Sequence, residues 1–340
     1  MSYSNFKDPF GLFKRMLLSR NTTAYFILFR ELLSKILVPV DFLLQGFEKR
    51  ILKKSRIDSD QPVILILGGS RSGTTLLYQT LAQYLPVSYM NNFIALFHRS
   101  PLAALKLFNR FIPNSKRNYE SYYGSVAGLD GPNDAFSIWN RWLGDDRNHI
   151  IKDISEQKKS EMKSFFNTWM QVSKRPFLNK NNRNSLCAPM LDSVFENVVF
   201  IEIYREPIFV AQSLILSRRS VQGSDKIGWG LLSEDSKESK DPLSYIDDIC
   251  NQVYQVNCIL AEGRKTIDTK KYIRVSYEDF CENPADLIQK VSLKALDHKI
   301  DFTNLAHLQF SIAANKQRLS DDEFNRIRLC FTKLYTDHKV

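Results

Sequence analysis

Residues 63–77 read Val-Ile-Leu-Ile-Leu-Gly-Gly-Ser-Arg-Ser-Gly-Thr-Thr-Leu-Leu, an order of residue types suited to holding an anion. Five consecutive aliphatics make a buried strand, the glycines a tight turn, and a helix-forming segment follows at once. Unpaired N–H groups at a helix start, and the positive end of the helix dipole, both favour negative charge. The loop fits the phosphate-binding pattern G-x-x-x-x-G-K-[ST] at Gly68, Gly73 and Thr75, but Thr74 stands where the lysine belongs. It is therefore expected to hold phosphate without the side chain that reaches the β- and γ-phosphates of a nucleoside triphosphate.

A second anion grip follows the same logic. Residues 198–204, Val-Val-Phe-Ile-Glu-Ile-Tyr, read as another strand, Arg205 leaves its end, and Pro207 opens a helix that carries Ser213. An arginine at a strand's carboxyl end and a hydroxyl on the next helix together suit one phosphate. Ligands of open α/β sheets bind beyond those strand ends. Two such grips on one sheet edge suit a ligand with phosphates at both ends.

The elements that must position these residues alternate. Strands are predicted over 63–67, 177–180, 198–204 and 272–276, and helices over 74–85, 155–173, 207–219, 244–264 and 284–293. Ser320-Asp-Asp-Glu reads as the capping box of a last helix. Alternation of this kind argues for an α/β fold of three layers, a mainly parallel sheet flanked by helices. Residues 1–60 read as a helical leader packed on a single domain, 61–340, with Pro39 dividing the leader into two helices. Residues 86–150 show no clear period. Residues 222–242, rich in glycine, serine and charge around Trp229, read as a lid.

Composition narrows the class. The 340 residues carry a net charge of +10, so an anionic partner is expected. There is no long run of lysine or arginine and no nucleic-acid motif, which argues against nucleic acid. The chain has no apolar run long enough to span a bilayer, and its N-terminal residues lack the form of a secretory signal. Five scattered cysteines without a C-x-x-C pair fit a reducing cytoplasm and no structural metal. The leader is basic, 11 − 6 = +5 over residues 1–60, and apolar at helical spacing, so residues 1–55 are a candidate for peripheral contact with anionic lipid.

At this point the chain resembles a known family. Ser70-Arg-Ser-Gly-Thr-Thr resembles the 5′-phosphosulfate loop of sulfotransferases, and Tyr204-Arg-Glu-Pro with Ser213 resembles their 3′-phosphate motif. Val275-Ser-Tyr-Glu-Asp-Phe followed by Asn283-Pro284 resembles a third recurring segment, and the three stand in family order over residues 62–290. The resemblance implies a P-loop-like sulfotransferase fold of the bacterial type. It implies the donor 3′-phosphoadenosine 5′-phosphosulfate, with no metal, and explains the missing lysine by the absence of a γ-phosphate. Carried over position by position, Arg71, Ser72, Gly73, Thr74 and Thr75 hold the phosphosulfate, Arg205 and Ser213 the 3′-phosphate, and Tyr277 lies by the adenine. Asn315, Lys316 and Arg318 are candidates for a late loop over the 3′-phosphate. One departure is Ser70, where many relatives have proline.

The reaction implied is in-line sulfuryl transfer to a hydroxyl, or in second place an amine, with Arg71 stabilising charge on the transferring group. A general base must take the acceptor's proton. The glutamate that some relatives carry about twenty residues after the loop arginine is missing from Tyr89-Met-Asn-Asn-Phe. His98 is the nearest histidine, outside any family motif. Gly128-Leu-Asp-Gly-Pro-Asn-Asp is similar to a Gly-Pro-Asn-Glu segment of some bacterial members, which makes Asp134 the first candidate base and Asp130 the second, with helix capping as the alternative role. Lys180, after an apolar strand, resembles a lysine that points into the site in several relatives. Trp139 and Trp142 read as core or as a sugar platform, and Arg218-Arg219 as cations at a helix C-terminus. A glycan or glycolipid acceptor is expected. An altered P-loop kinase or NTPase, or a non-catalytic phosphate-binding module docked to a membrane, are the alternatives.

Overall fold

The computed structural model describes residues 7–54, 60–112, 115, 118–297, 308–311 and 315–337. Five strands form one sheet in the order β2-β3-β1-β4-β5, with every pairing parallel. They are β1 (Val63–Leu67), β2 (Ser88–Tyr89), β3 (Phe177–Lys180), β4 (Val198–Tyr204) and β5 (Tyr272–Ser276). Successive side chains of a strand point to opposite faces, so strands covered on both sides must be apolar throughout. The five aliphatics of β1 meet this condition, and all five are buried.

One face of the sheet, formed by Val63, Leu65, Phe177, Val198 and Phe200, packs on α3 (Val38–Lys54), α5 (Pro101–Phe108), α6 (Phe136–Leu143), α7 (Glu156–Ser173) and α8 (Ala188–Val194). The opposite face, formed by Ile64, Ile66, Leu178 and Ile201, packs on α4 (Thr74–Tyr84), α11 (Tyr277–Glu282) and α12 (Pro284–Leu296). A third apolar cluster joins α9 (Pro207–Gln222), α10 (Ser244–Thr266) and α13 (Asp321–Asp337). Four of the five strands and the long helices fall where the sequence predicts them, to within a few residues; the two-residue β2 was not predicted and lies in the aperiodic stretch 86–150. The capping box also forms: Ser320 N–H and Oγ–H donate to Glu323 Oε2 at 3.1 and 2.9 Å, and Glu323 N–H returns to Ser320 Oγ.

The leader has more pieces than expected. It forms α1 (Pro9–Leu18), α2 (Thr22–Ile36) and α3. The chain breaks at Leu37, and Pro39 sits in the first turn of α3, where its missing N–H costs nothing. Two carboxylates of α3 weld it to the start of α5. Asp41 accepts from Ser100 N–H and Oγ–H at 3.0 and 2.6 Å, and Glu48 accepts from Ala103 N–H at 2.7 Å. Both are buried against the positive end of that helix, whose N–H groups offset part of the cost of burying a carboxylate.

Candidate active site

The loop between β1 and α4 is shaped by two glycines that admit no side chain. Gly68 has φ 153°, and a Cβ there would lie 2.6 Å from the carbonyl oxygen of Ile203. Gly73 has φ 100°, and a Cβ would lie 2.4 Å from the Tyr277 ring. Arg71 also has positive φ, 72°, so the turn holds a non-glycine residue in the left-handed region, a strain typical of ligand loops. Ser185 Oγ clamps the loop start, accepting from Gly68 N–H at 2.9 Å and donating to Gly68 O at 3.1 Å. No side chain caps α4, so the N–H groups of its first turn are left for a ligand.

Around the loop lies a cavity of about 350 Å³ lined by Arg71, Gly73, Thr74, Thr75, Asp134, Lys180, Arg205 and Tyr277, all singled out from sequence. Ser72 turns inward instead, its hydroxyl donating to Gly69 O at 2.8 Å, so it shapes the loop. Ser213 meets the loop from α9: its Oγ accepts from Arg71 Nε at 2.9 Å. Arg205 donates to Asn315 Oδ1 from Nε and Nη2 at 2.8 and 2.6 Å, and to Arg71 O from Nη1 at 3.2 Å. Its guanidinium stacks 4.8 Å above the Tyr277 ring. Tyr277 therefore supports Gly73 from below and Arg205 from its face, and burial pushes its phenol up to about 12. The segment with Asn315, Lys316 and Arg318 docks on α9 through Gln212, which donates to Lys316 O at 2.9 Å and accepts from Arg318 N–H at 2.7 Å.

Electrostatics favour negative charge at this end of the cavity. Burial pushes the Arg71 guanidinium down, and nearby Arg205 pushes it further. Burial does the same to Arg205, with Arg318 adding repulsion. Three cations drawn together at a cost become favourable when an anion neutralises them.

The opposite wall carries a different pair. Lys180, at the end of β3 and 3% exposed, donates to Asp134 Oδ2 at 2.9 Å. Asp134 does not cap a helix: α6 starts after Ala135 with no side-chain cap, and Asn133 Oδ1 takes the Ala135 N–H at 2.9 Å. Asn133 is in turn fixed by Asn92 at 2.8 Å, and Asn181 donates to Asp134 O at 3.0 Å. The acidic turn is thus a rigid mount that leaves the Asp134 carboxylate to the cavity. Asp130 sits elsewhere, buried and accepting from Ser115 N–H at 2.8 Å.

His98 is a correction. It is exposed and absent from the cavity, on the turn before α5, and its backbone carbonyl accepts from Arg141. Trp139 and Trp142 belong to the core, Trp139 donating to Asn179 Oδ1 at 2.8 Å. Arg218 does not end its helix. It is buried in α9, donates to Gln252 Oε1 at 2.9 Å, and burial lowers its guanidinium to about 10. Gln252 in turn donates to Trp229 O and Leu231 O, so the two side chains brace the segment 222–242 from below. Ser70 contacts the same segment, its Oγ accepting from Leu231 N–H at 3.3 Å, a bond that proline at that position would not make.

Several lining residues escaped the sequence reading. Tyr123 faces Arg71 at 5.6 Å and meets Trp229 edge-on, and Arg147 stacks 3.7 Å over Phe136. Asn182 accepts from Thr74 Oγ1 at 3.4 Å. The first two lie in the aperiodic stretch 86–150, where no motif points to them.

The sequence profile of the sulfotransferase family matches residues 62–297, which contain both anion grips and the Asp134–Lys180 wall. The chain belongs to the sulfotransferase family. Solved sulfotransferases share its fold. STF9 from Mycobacterium avium matches with a TM-score of 0.55 at 14% identity, over 88% of this chain and 81% of that one. STF1 from Mycobacterium tuberculosis H37Rv matches with a TM-score of 0.50 at 10% identity, over 86% and 82%. Among curated protein sequences none matches. The sulfotransferase is accordingly an enzyme of sulfuryl transfer on a P-loop-like α/β frame.

Proposed function

We propose that the sulfotransferase moves a sulfuryl group from 3′-phosphoadenosine 5′-phosphosulfate to a hydroxyl, and less readily to an amine, of a glycan or glycolipid. One observation carries this reading: a single cavity holds a phosphate loop without its lysine, a crowded arginine cluster and, opposite, a buried lysine paired with a half-buried aspartate. The loop N–H groups and Arg71 suit the phosphosulfate, and Arg205 with Ser213 and Arg318 suits the 3′-phosphate.

In this scheme the acceptor oxygen attacks sulfur in line as the bond from sulfur to the bridging phosphate oxygen breaks. The acceptor proton passes to Asp134, and adenosine 3′,5′-bisphosphate leaves. Lys180 neutralises charge on the sulfuryl oxygens and orients Asp134, and Arg71 steadies charge on the bridging oxygen. Tyr123, Phe136 and Trp229 give the cavity aromatic walls of the kind that pack against sugar rings. Five free cysteines fit a reducing cytoplasm.

Calorimetry tests the donor. Adenosine 3′,5′-bisphosphate should bind without magnesium, and ATP far more weakly. Tight, magnesium-dependent binding of ATP would instead favour a kinase-like reading. Labelled donor with lipid-extracted and water-soluble acceptor fractions, followed by mass spectrometry, tests the acceptor.

A further inference from the structure

We propose that α1–α3 form a docking face for an anionic bilayer surface. Of the 17 large apolar side chains exposed among the described residues, 12 lie between residues 10 and 43. Singly exposed apolar residues are ordinary, but so dense a concentration marks an interaction surface. The pattern is ordered. Phe10, Phe13 and Leu17 make a stripe on α1, and Phe29, Leu32 and Ile36 another on α2, each at helical spacing. The stripes adjoin, because the Tyr25 hydroxyl on α2 donates to Leu17 O on α1 at 3.0 Å. Phe42 and Leu43, 65% and 79% exposed, continue them onto α3.

Charge selects the occupant. Along the exposed face of α3 the apolar residues give way to Lys49, Arg50 and Lys53. A cleft of about 700 Å³ beside them is lined by Arg50, Lys54, Lys106, Arg110 and Lys174, with no acidic residue among its lining. Both acids of α3, Asp41 and Glu48, are buried. Asp8, which caps α1, pairs with Arg15, and Glu31 of α2 pairs with Arg30. Apolar stripes with cations at one end, and carboxylates turned inward or neutralised, match acyl chains below a layer of anionic headgroups.

The same helices touch both flanks of the cavity. On one side Lys7 pairs with Asp235, and Arg15 donates to Val221 O at 2.8 Å, where the lid begins. On the other, Arg30 donates to Asn92 Oδ1 at 3.0 Å, and Asn92 holds the turn that mounts Asp134. Seated on a bilayer, the leader would bring the cavity to a lipid-borne acceptor, and this last step rests on the function proposed above.

The test is co-sedimentation of the full chain with phosphatidylcholine vesicles, with and without phosphatidylglycerol. The wild type should bind only the anionic vesicles, and more weakly as salt is raised. The triple variant Phe10→Ser, Phe13→Ser, Leu17→Ser should bind roughly tenfold more weakly or worse. The triple variant Lys49→Glu, Arg50→Glu, Lys53→Glu should lose the dependence on phosphatidylglycerol, and it keeps the proposal testable if the first variant unfolds. Failure of the wild type to bind anionic vesicles overturns the proposal. So does a stable dimer that the apolar variant dissolves while vesicle binding is absent. Vesicle binding needs no turnover, so an error in the donor or acceptor leaves this outcome untouched.

Discussion

Arg205 joins three parts of the molecule that lie far apart in sequence. It bonds the Arg71 carbonyl in the loop and Asn315 near the C-terminus, and it stacks on Tyr277 at the start of α11. Replacing it by alanine should weaken adenosine 3′,5′-bisphosphate binding by about 1.5–3 kcal/mol, the range for a hydrogen bond to a charged group. Unchanged affinity by calorimetry would move the 3′-phosphate elsewhere. Asp134→Asn keeps the shape of the side chain and removes the proton acceptor. Turnover should fall by about 10²–10⁴-fold, with nucleotide affinity nearly intact. A variant that turns over at the wild-type rate would clear Asp134 of the role. Neither partner of the Asp134–Lys180 pair announces the other in sequence, since 46 residues separate them. Their pairing becomes visible only when β3 and the acidic turn come together.

At the scale of elements, the loop works because β1, α4 and α11 leave no room for a side chain at Gly73. Gly73→Ala forces a β-carbon into the Tyr277 ring at φ 100°. About 1–3 kcal/mol of backbone strain is expected, together with loss of nucleotide binding. Thermal unfolding and calorimetry on the same sample would show both, and a variant that binds normally would refute the packing argument. What was legible at this scale follows from burial. Strands covered on both faces are mostly apolar, so β1 stands out, as does β4 in spite of the buried, ion-paired Glu202, and glycine punctuation locates the loop. The contact between Tyr277 and Gly73 was not legible, because a tyrosine beneath a loop looks like any other tyrosine. The same is true of Tyr123 and Arg147, which sit in a stretch ordered by turns and by hydrogen bonds between residues distant in sequence, without periodicity. His98 misled because nearness in sequence to the loop is not nearness to its cavity.

Over the whole molecule, the leader is fastened to the domain by buried carboxylates, and one of them makes that attachment sensitive to pH. Burial raises the Glu48 carboxyl from 4.5 to about 7. A folded-state value above the unfolded one means that folding favours the protonated form. Stability from this group is present below pH 4.5 and lost as pH rises to about 7. The loss is at most roughly 3 kcal/mol. Unfolding temperatures across that window should fall more steeply for the wild type than for Glu48→Gln, and parallel curves would exclude Glu48 as the cause.

Sheet order has a kinetic consequence. The central strand β1 lies between β3, which ends in Lys180, and β4, which leads to Arg205. The cations that suit the donor and the pair that suits the acceptor therefore stand on opposite sides of one strand. If donor and acceptor bind as proposed, both can occupy the cavity at once, and neither must leave before the other enters. Initial rates with both substrates varied should give intersecting double-reciprocal lines. Parallel lines would mean that the group is first parked on the protein.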